Sequence, residues 1–180
     1  MSDNADVRDR LIAAALRLLE RTGEEPSLRA VARAAGVSAM TPYGYIRNKA
    51  DLMAAVSTRG FEMLANALER ADDNPDSVVA LTAQGVAVVE FARAHPALFR
   101  LMYSHQYGSA GTAAIQRTAE ILSSRVSAIL PEHAAPFVLA CRSLAQGMAT
   151  LALNDRLGSA KPEDIETAMR LFAEGFGGSR

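Results

Sequence analysis

Apolar residues return at three- and four-residue intervals through almost all of this chain, and glycines and prolines cut the pattern into short lengths. That period belongs to amphipathic helices; strands alternate with a period of two. Composition agrees. Alanine and leucine dominate, tryptophan is absent and 6% of residues are aromatic, whereas strands favour β-branched and aromatic residues. With 49% hydrophobic residues over 180 positions and a mean hydropathy of +0.05, the chain can bury a sizeable core. The expectation is an all-α fold of about nine helices.

The punctuation places them. A first helix runs from about Val7 to Arg21, with Val7, Leu11, Ala14, Ala15, Leu18 and Leu19 on one face and Gly23 as its stop. Ser27 caps a second, which carries Leu28, Val31, Ala32 and Ala35 and breaks at Gly36. Ser38 caps a short third, about Ala39 to Tyr45. Asn48, with Asp51 three residues on, caps a fourth that reaches about Asp72. Pro75 fits the first turn of a fifth, about Asp76 to Ala94, and Pro96 starts a sixth through Tyr103. A loop from His105 to Gly111 leads to a seventh, Thr112 to Leu130. The eighth, about Ala135 to Leu157, is apolar around most of its surface, so it needs cover on several sides; Gly158 closes it. Pro162 opens the ninth, with Ile165, Met169 and Phe172 on one face, and the tail GFGGSR is expected to be disordered.

Several classes drop out. No apolar run approaches the ~20 residues that span a bilayer. The opening MSDNADVRDR is charged and lacks the apolar stretch of a secretory signal. The reading is a soluble, cytoplasmic protein with no membrane partner. Cys141 is the single cysteine, which excludes a disulfide framework and a cysteine-rich zinc site. His105 and His133 lack a carboxylate or cysteine at metal spacing, so neither a metal nor another cofactor is expected. No nucleophile–base pair or convergent carboxylates point to catalysis. Charge is split: residues 1–50 carry eight Lys/Arg against six Asp/Glu, a net +2, and residues 51–180 eleven against fourteen, a net −3. That fits a small basic head on an acidic body.

The informative segment is 27–52, SLRAVARAAGVSAMTPYGYIRNKADL. Two short helices meet at a glycine, as a helix-turn-helix requires. Gly36 permits the left-handed backbone of a tight turn, and Val31, Val37 and Ile46 can pin the pair against the first helix. The second helix offers small or polar side chains, Ser38, Ala39, Met40 and Thr41, which let it sit deep in the major groove, where base edges differ. Tyr43 and Tyr45 follow within a turn; a phenol can donate to a phosphate oxygen. Lys49 lies at a helix N-terminus, where dipole and free N–H groups also favour an anion. A generic helical bundle or a protein-interaction module leaves Tyr43, Tyr45 and Lys49 without a role.

The segment resembles the DNA-binding domain of the tetracycline-repressor (TetR) family of bacterial regulators. Gly36-Val37-Ser38, Thr41-Pro42-Tyr43-Gly44-Tyr45 and Asn48-Lys49 match the family's residues and spacing over about residues 7–56. The resemblance implies Ser27, Tyr43 and Lys49 on phosphate, Arg29 near bases or backbone, and Ala39, Met40 and Thr41 facing the groove; Ser38 and Tyr45 complete the candidate DNA-binding set. Pro42 replaces the usual leucine, and Gly44 a larger residue. Pro-Tyr here, with the segment Phe91 to Met102, looks like one subgroup, whose C-terminal domain carries a Trp-x-x-x-His-Gly motif. Arg142 and Gln146 stand at the Trp and His positions and only Gly147 is retained, so the subgroup's ligand is not implied.

These readings divide the chain into a helix-turn-helix DNA-binding domain, 1–50, and a ligand-binding and dimerisation domain, 51–180. The eighth and ninth helices are expected to pack as a four-helix bundle with those of a second copy, with Ala140, Ala145, Gly147 and Ala149 allowing close approach; an intramolecular core is the alternative use of the same faces. Candidate pocket residues are Gln84, Met102, Tyr103, Tyr107, Arg142, Gln146 and Met148, with Glu90, His105, Gln106 and Asn154 further polar candidates on apolar helices. A buried polar group needs a partner, so each faces a ligand, a satisfied contact or solvent. The expected partners are a palindromic double-stranded operator, an unknown small-molecule effector and a second copy. Recognition helices would sit ~34–36 Å apart, one turn of DNA, until ligand binding shifts the fourth helix and spreads them.

Overall fold

The computed structural model describes residues 2–107, 112–158 and 160–177. Among them there are helices and turns and no strand. The α-helices are α1 (Ser2–Thr22), α2 (Leu28–Ala34), α3 (Lys49–Ala71), α4 (Ser77–Ala94), α5 (Pro96–Met102), α6 (Thr112–Ile129), α7 (Ala134–Leu153) and α8 (Pro162–Gly177). Two 3-10 turns, Thr41–Gly44 and Pro131–His133, lie between them. The all-α expectation holds, with eight α-helices where about nine are read from the sequence. The difference is the segment after Gly36, which forms a 3-10 turn. The physical reason is Pro42. With Ser38 as cap, the first α-helical bond would run from the N–H of residue 42 to the carbonyl of Ser38, and proline has no N–H. The backbone instead bonds three residues back, Thr41 N–H to Ser38 O at 3.1 Å and Tyr43 N–H to Met40 O at 3.2 Å, before one α-type bond from Ile46 N–H to Pro42 O at 2.8 Å.

Smaller departures have equally local causes. Pro75 precedes the fifth helical segment and does not sit in its first turn. Asp76 takes the cap, its Oδ1 accepting from the N–H groups of Val78 at 2.8 Å and Val79 at 3.2 Å, because a carboxylate satisfies orphan donors and a proline cannot. Helix α7 ends before Gly158. Asp155 adopts φ +51° and the chain closes with Arg156 N–H on Leu151 O, 2.9 Å, and Asp155 N–H on Ala152 O, 3.3 Å. That is the glycine-type C-terminal motif with aspartate in the left-handed position, which a short polar side chain tolerates. Helix α8 continues through Gly177 into the stretch expected to be disordered; the last three residues of that tail lie outside the described residues.

The chain packs as two units. The first comprises residues 1–61 and 95–112, the second 62–94 and 113–180, so α3 supplies residues to both. In the first, the α1 face Leu11, Ala14, Ala15 and Leu19 is buried with Val31 and Ala32 of α2, Pro42, Ile46, and Leu52, Met53 and Val56 of α3. Helix α5 packs on α1, where Glu20 Oε1 accepts from the N–H of Leu98 at 3.1 Å and so caps its start. These packing units differ from a division at residue 50, which concerns function, because α5 folds back onto the N-terminal helices.

In the second unit α4 is the central helix, packed by α7 and α8. It buries Ala80, Leu81, Thr82, Gln84, Gly85, Val89, Phe91 and Ala92. Gly85 lets α8 approach, since a Cβ there would lie 2.8 Å from the Met169 sulfur. A core of Leu81, Val126, Phe137, Cys141 and Ala173 joins α4, α6, α7 and α8, with the Phe137 and Phe172 rings 5.7 Å apart. Burial pushes the Cys141 thiol up to about 11, so it is a packing residue. Asp72, after α3, accepts from Gln84 Nε2 at 2.6 Å and Arg125 Nε at 2.7 Å. Helix α7 is buried on one face only, Phe137, Cys141, Ala145 and Ala149. Leu139 is 65% exposed, Leu151 43% and, on α8, Leu171 60%. The spans Ser77–Ala94 and Pro131–Leu153 are long and apolar enough to cross a membrane by length and composition, against the sequence reading that no run comes near it. The first is the central helix of the second unit, a role that demands the same apolar surface.

Candidate nucleic-acid interface

The first unit carries every residue singled out for DNA. Ser27 caps α2: its Oγ accepts from the N–H of Ala30 at 3.2 Å, which leaves the hydroxyl proton free to donate. Arg29, in the first turn of α2, is exposed, and so is Arg33; among the described residues neither has an acidic partner. At the end of α2 the Val37 N–H reaches Ala32 O at 3.0 Å and the Gly36 N–H reaches Arg33 O at 3.2 Å. This pair of hydrogen bonds requires a left-handed residue between them, and Gly36 supplies it at φ +69°.

Beyond the turn, Ser38, Ala39, Met40, Tyr43 and Gly44 are exposed, Thr41 and Tyr45 half-buried and Pro42 buried. The Ser38 and Thr41 hydroxyls pair at 2.8 Å, which closes the segment on itself. Buried Pro42 and Ile46 anchor the segment while Met40, 73% exposed, and Tyr43, 58% exposed, project from it. Together with the exposed small residues around them, this apolar side chain and this phenol give a surface that can meet a partner. Asn48 Oδ1 accepts from the Asp51 N–H at 2.9 Å, capping α3. Asp51 reaches back to the N–H of Arg47 at 3.1 Å and to its guanidinium at 3.2 Å. The Arg47 N–H, and then its guanidinium, hold the Asp51 carboxyl below the ordinary carboxylate value of 3.8.

Three contacts in this region are absent from the sequence reading. Arg10 Nη2 of α1 donates to the carbonyl of Ala35 at 2.9 Å and steadies the turn. Arg47 and Asp51 form an i,i+4 pair, whose spacing could have revealed it. Lys49 Nζ lies 3.0 Å from Glu25 Oε2, a pairing across two elements that no sequence spacing signals.

The pocket candidates fall into two groups. Met102, Tyr103 and Tyr107 belong to the first unit. Met102 is fully buried against Gly60, and Tyr103 packs its ring on Phe61 and Phe99 at 5.7 and 4.6 Å. The Tyr107 carbonyl accepts from Ser57 Oγ at 3.3 Å. Gln84, Arg142, Gln146 and Met148 belong to the second unit. Gln84 is buried on α4, Arg142 is exposed on α7, and Gln146 and Met148 are half-buried. Gln84 Oε1 is buried without a hydrogen-bond partner among the described residues. Of the additional polar candidates, Glu90 lines an open groove of about 720 Å³ between α4 and α8, with Val79, Thr82, Ala83, Val86 and Arg170; none of the seven pocket candidates lines it.

A short helix, a left-handed glycine turn and a second segment that presents small, apolar and phenolic side chains to solvent define a helix-turn-helix DNA-binding regulator. The pattern described as "Bacterial regulatory proteins, tetR family" matches residues 11–56, and "Tetracyclin repressor-like, C-terminal domain" matches residues 81–176, more than half of the chain. The chain belongs to the TetR family of transcriptional regulators. It is similar to a solved protein of unknown function from Rhodococcus sp. RHA1, at 33% identity over 94% of each chain with a TM-score of 0.77. Its fold is shared by the TetR family regulator PfmR from Thermus thermophilus, at 20% identity, 94% of each chain and a TM-score of 0.62. A TetR family regulator from Marinobacter aquaeolei gives 20%, 97% of each chain and 0.66. No curated protein matches the sequence.

Proposed function

We propose that this regulator binds a palindromic DNA operator as a homodimer, represses transcription there, and is released by a small-molecule effector. The observation that carries the DNA half is the solvent-facing row Met40, Tyr43 and Lys49, flanked by exposed Arg29 and Arg47 and mounted on the buried anchors Pro42 and Ile46. Residues of the groove-facing segment, Ser38 to Thr41, read bases, while Ser27, Tyr43, Tyr45 and Lys49 hold backbone phosphates. A functional boundary near residue 50 follows from that assignment. Arg29 serves either bases or backbone, and Tyr45, half-buried, has the shorter reach of the two tyrosines.

Dimerisation is supported by Leu139 and Leu151 on α7 and Leu171 on α8, apolar side chains exposed in the single chain. Covering the α7 and α8 faces with those of a second copy buries them. Effector release is supported by Gln84, whose buried oxygen lacks a partner among the described residues, a group that a ligand donor can satisfy. The ligand must favour the released state over the DNA-bound one, since equal affinity shifts nothing; α3, with residues in both units, is the element to transmit it. The test is a mobility-shift titration on DNA flanking the protein's own gene, at low and high salt. Salt-sensitive retention by a palindrome is the expected result. Retention of no duplex at any salt overturns the reading.

A further inference from the structure

We infer that Glu25 is a built-in competitor of DNA phosphate for Lys49, and so sets the strength of DNA binding. The inference rests on the DNA-binding reading of Lys49. Lys49 opens α3, where the helix dipole and unpaired N–H groups favour an anion. In the DNA-free chain the anion at its ammonium is the Glu25 carboxylate, at 3.0 Å. Both side chains keep partial contact with solvent, 48% exposed for Lys49 and 33% for Glu25, so the pair can exchange partners. Glu25 lies in the connection between α1 and α2, two residues ahead of Ser27, another phosphate candidate.

A second group of the first unit senses this carboxylate. The Tyr107 phenol faces Glu25, and burial, reinforced by that carboxylate, pushes the phenol above its ordinary value of 10. Ser57 of α3 fixes the Tyr107 backbone through its carbonyl. A phosphate oxygen arriving at Lys49 therefore displaces the Glu25 carboxylate or is repelled by it. Unlike Lys49, the neighbouring Arg47 is paired to an acid four residues on, Asp51, with 87% of its side chain still in solvent.

The test compares the wild type, Glu25→Gln, Lys49→Ala and the double variant. The probe is a mixed-sequence duplex of about 30 base pairs, about three helical turns, titrated by fluorescence anisotropy at low salt, where the sequence-independent phosphate term dominates. Glu25→Gln is expected to tighten binding about two- to fivefold per protomer, the range of a partly exposed ion pair, and the gain should shrink as salt screens the pair. It should vanish in the Lys49→Ala background. An equal gain in that background overturns the inference, because Glu25 would then act by general repulsion. So does an unchanged or weakened Glu25→Gln variant whose circular dichroism matches the wild type. A second readout needs no DNA. The chain has two lysines, Lys49 and Lys161, so amine acylation followed by mass spectrometry reads Lys49 against an internal reference. Glu25→Gln should raise Lys49 labelling alone; no rise overturns the inference. A wild type that retains no duplex while Lys49 labelling responds overturns the DNA-binding reading, with Glu25 still shown to occupy Lys49.

Discussion

The two units of this regulator solve different problems. The first holds the chain's short segments between α1 and α3, shaped by local chemistry: Ser27 and Asn48 as caps, Gly36 at φ +69° and Pro42 as a buried wedge. The second is built from long helices around α4, with few local instructions and a broad apolar surface, some of which is left uncovered on α7 and α8. In the first, the caps and turns are set within four positions of sequence, while contacts such as Arg10 to Ala35 and Lys49 to Glu25 join them across elements. In the second, a residue's role is set by which helix, from this copy or another, lies across it. The proposed functions divide the same way: a DNA surface can be specified locally, whereas the proposed sensing and assembly depend on what fills a space.

The sharpest way to break this contrast is in the second unit's core. Phe137→Ala should cost about 3–5 kcal/mol, read by thermal or denaturant unfolding, and should open Cys141 to alkylation in the native state. Unchanged stability with Cys141 still protected would mean that the core is not organised around Phe137. Next is the uncovered face. Leu139→Asp combined with Leu171→Asp should raise the dimer dissociation constant at least tenfold, since burying each leucine contributes about 1.5–3 kcal/mol. Sedimentation velocity reads this, and a dimer that survives both charges must use another surface.

In the first unit the effects are smaller and more local. Gly36→Ala should cost about 1–2 kcal/mol, the strain of a Cβ in the left-handed region, and weaken DNA retention along with stability. An alanine variant as stable as the wild type would mean that the turn does not depend on the left-handed backbone of Gly36. Smallest is Asp51→Asn, expected to cost about 1 kcal/mol or less at neutral pH. Its sign with pH is fixed by the lowered carboxyl. The unfolded value is near 3.8 and the folded one below it, so the charged carboxylate stabilises the fold above pH ~3.8 and that contribution is lost as pH falls through the folded value. The wild-type advantage over Asp51→Asn should therefore disappear in acid; an advantage that persists below both values would assign it to packing.

Much of the fold was legible because helices announce themselves within a few residues. The caps at Ser27 and Asn48 and the breaks at Gly23 and Gly36 follow from which side chains can satisfy an orphan N–H or adopt a positive φ. The segment around Thr41 was less legible, because a capping serine and a proline four residues later make opposing demands, and the loss of the first α-helical bond decided between them. Asp155 carries no sequence signal, since aspartate visits the left-handed region only when its surroundings favour it. The pocket candidates were the least legible: Met102 is buried and Tyr103 packs on Phe61 and Phe99, and periodicity cannot tell a packed side chain from a lining one.

By itself, the sequence determined the all-helical class, most helix limits and the family's DNA-reading segment, since each depends on backbone preferences and side chains a few positions apart. The pairing of Lys49 with Glu25, the capping of α5 by Glu20 and the bonds of Arg125 and Gln84 to Asp72 were decided only by the tertiary structure. Each joins groups 12 or more residues apart, and only packing of the helices brings such groups within a few ångströms.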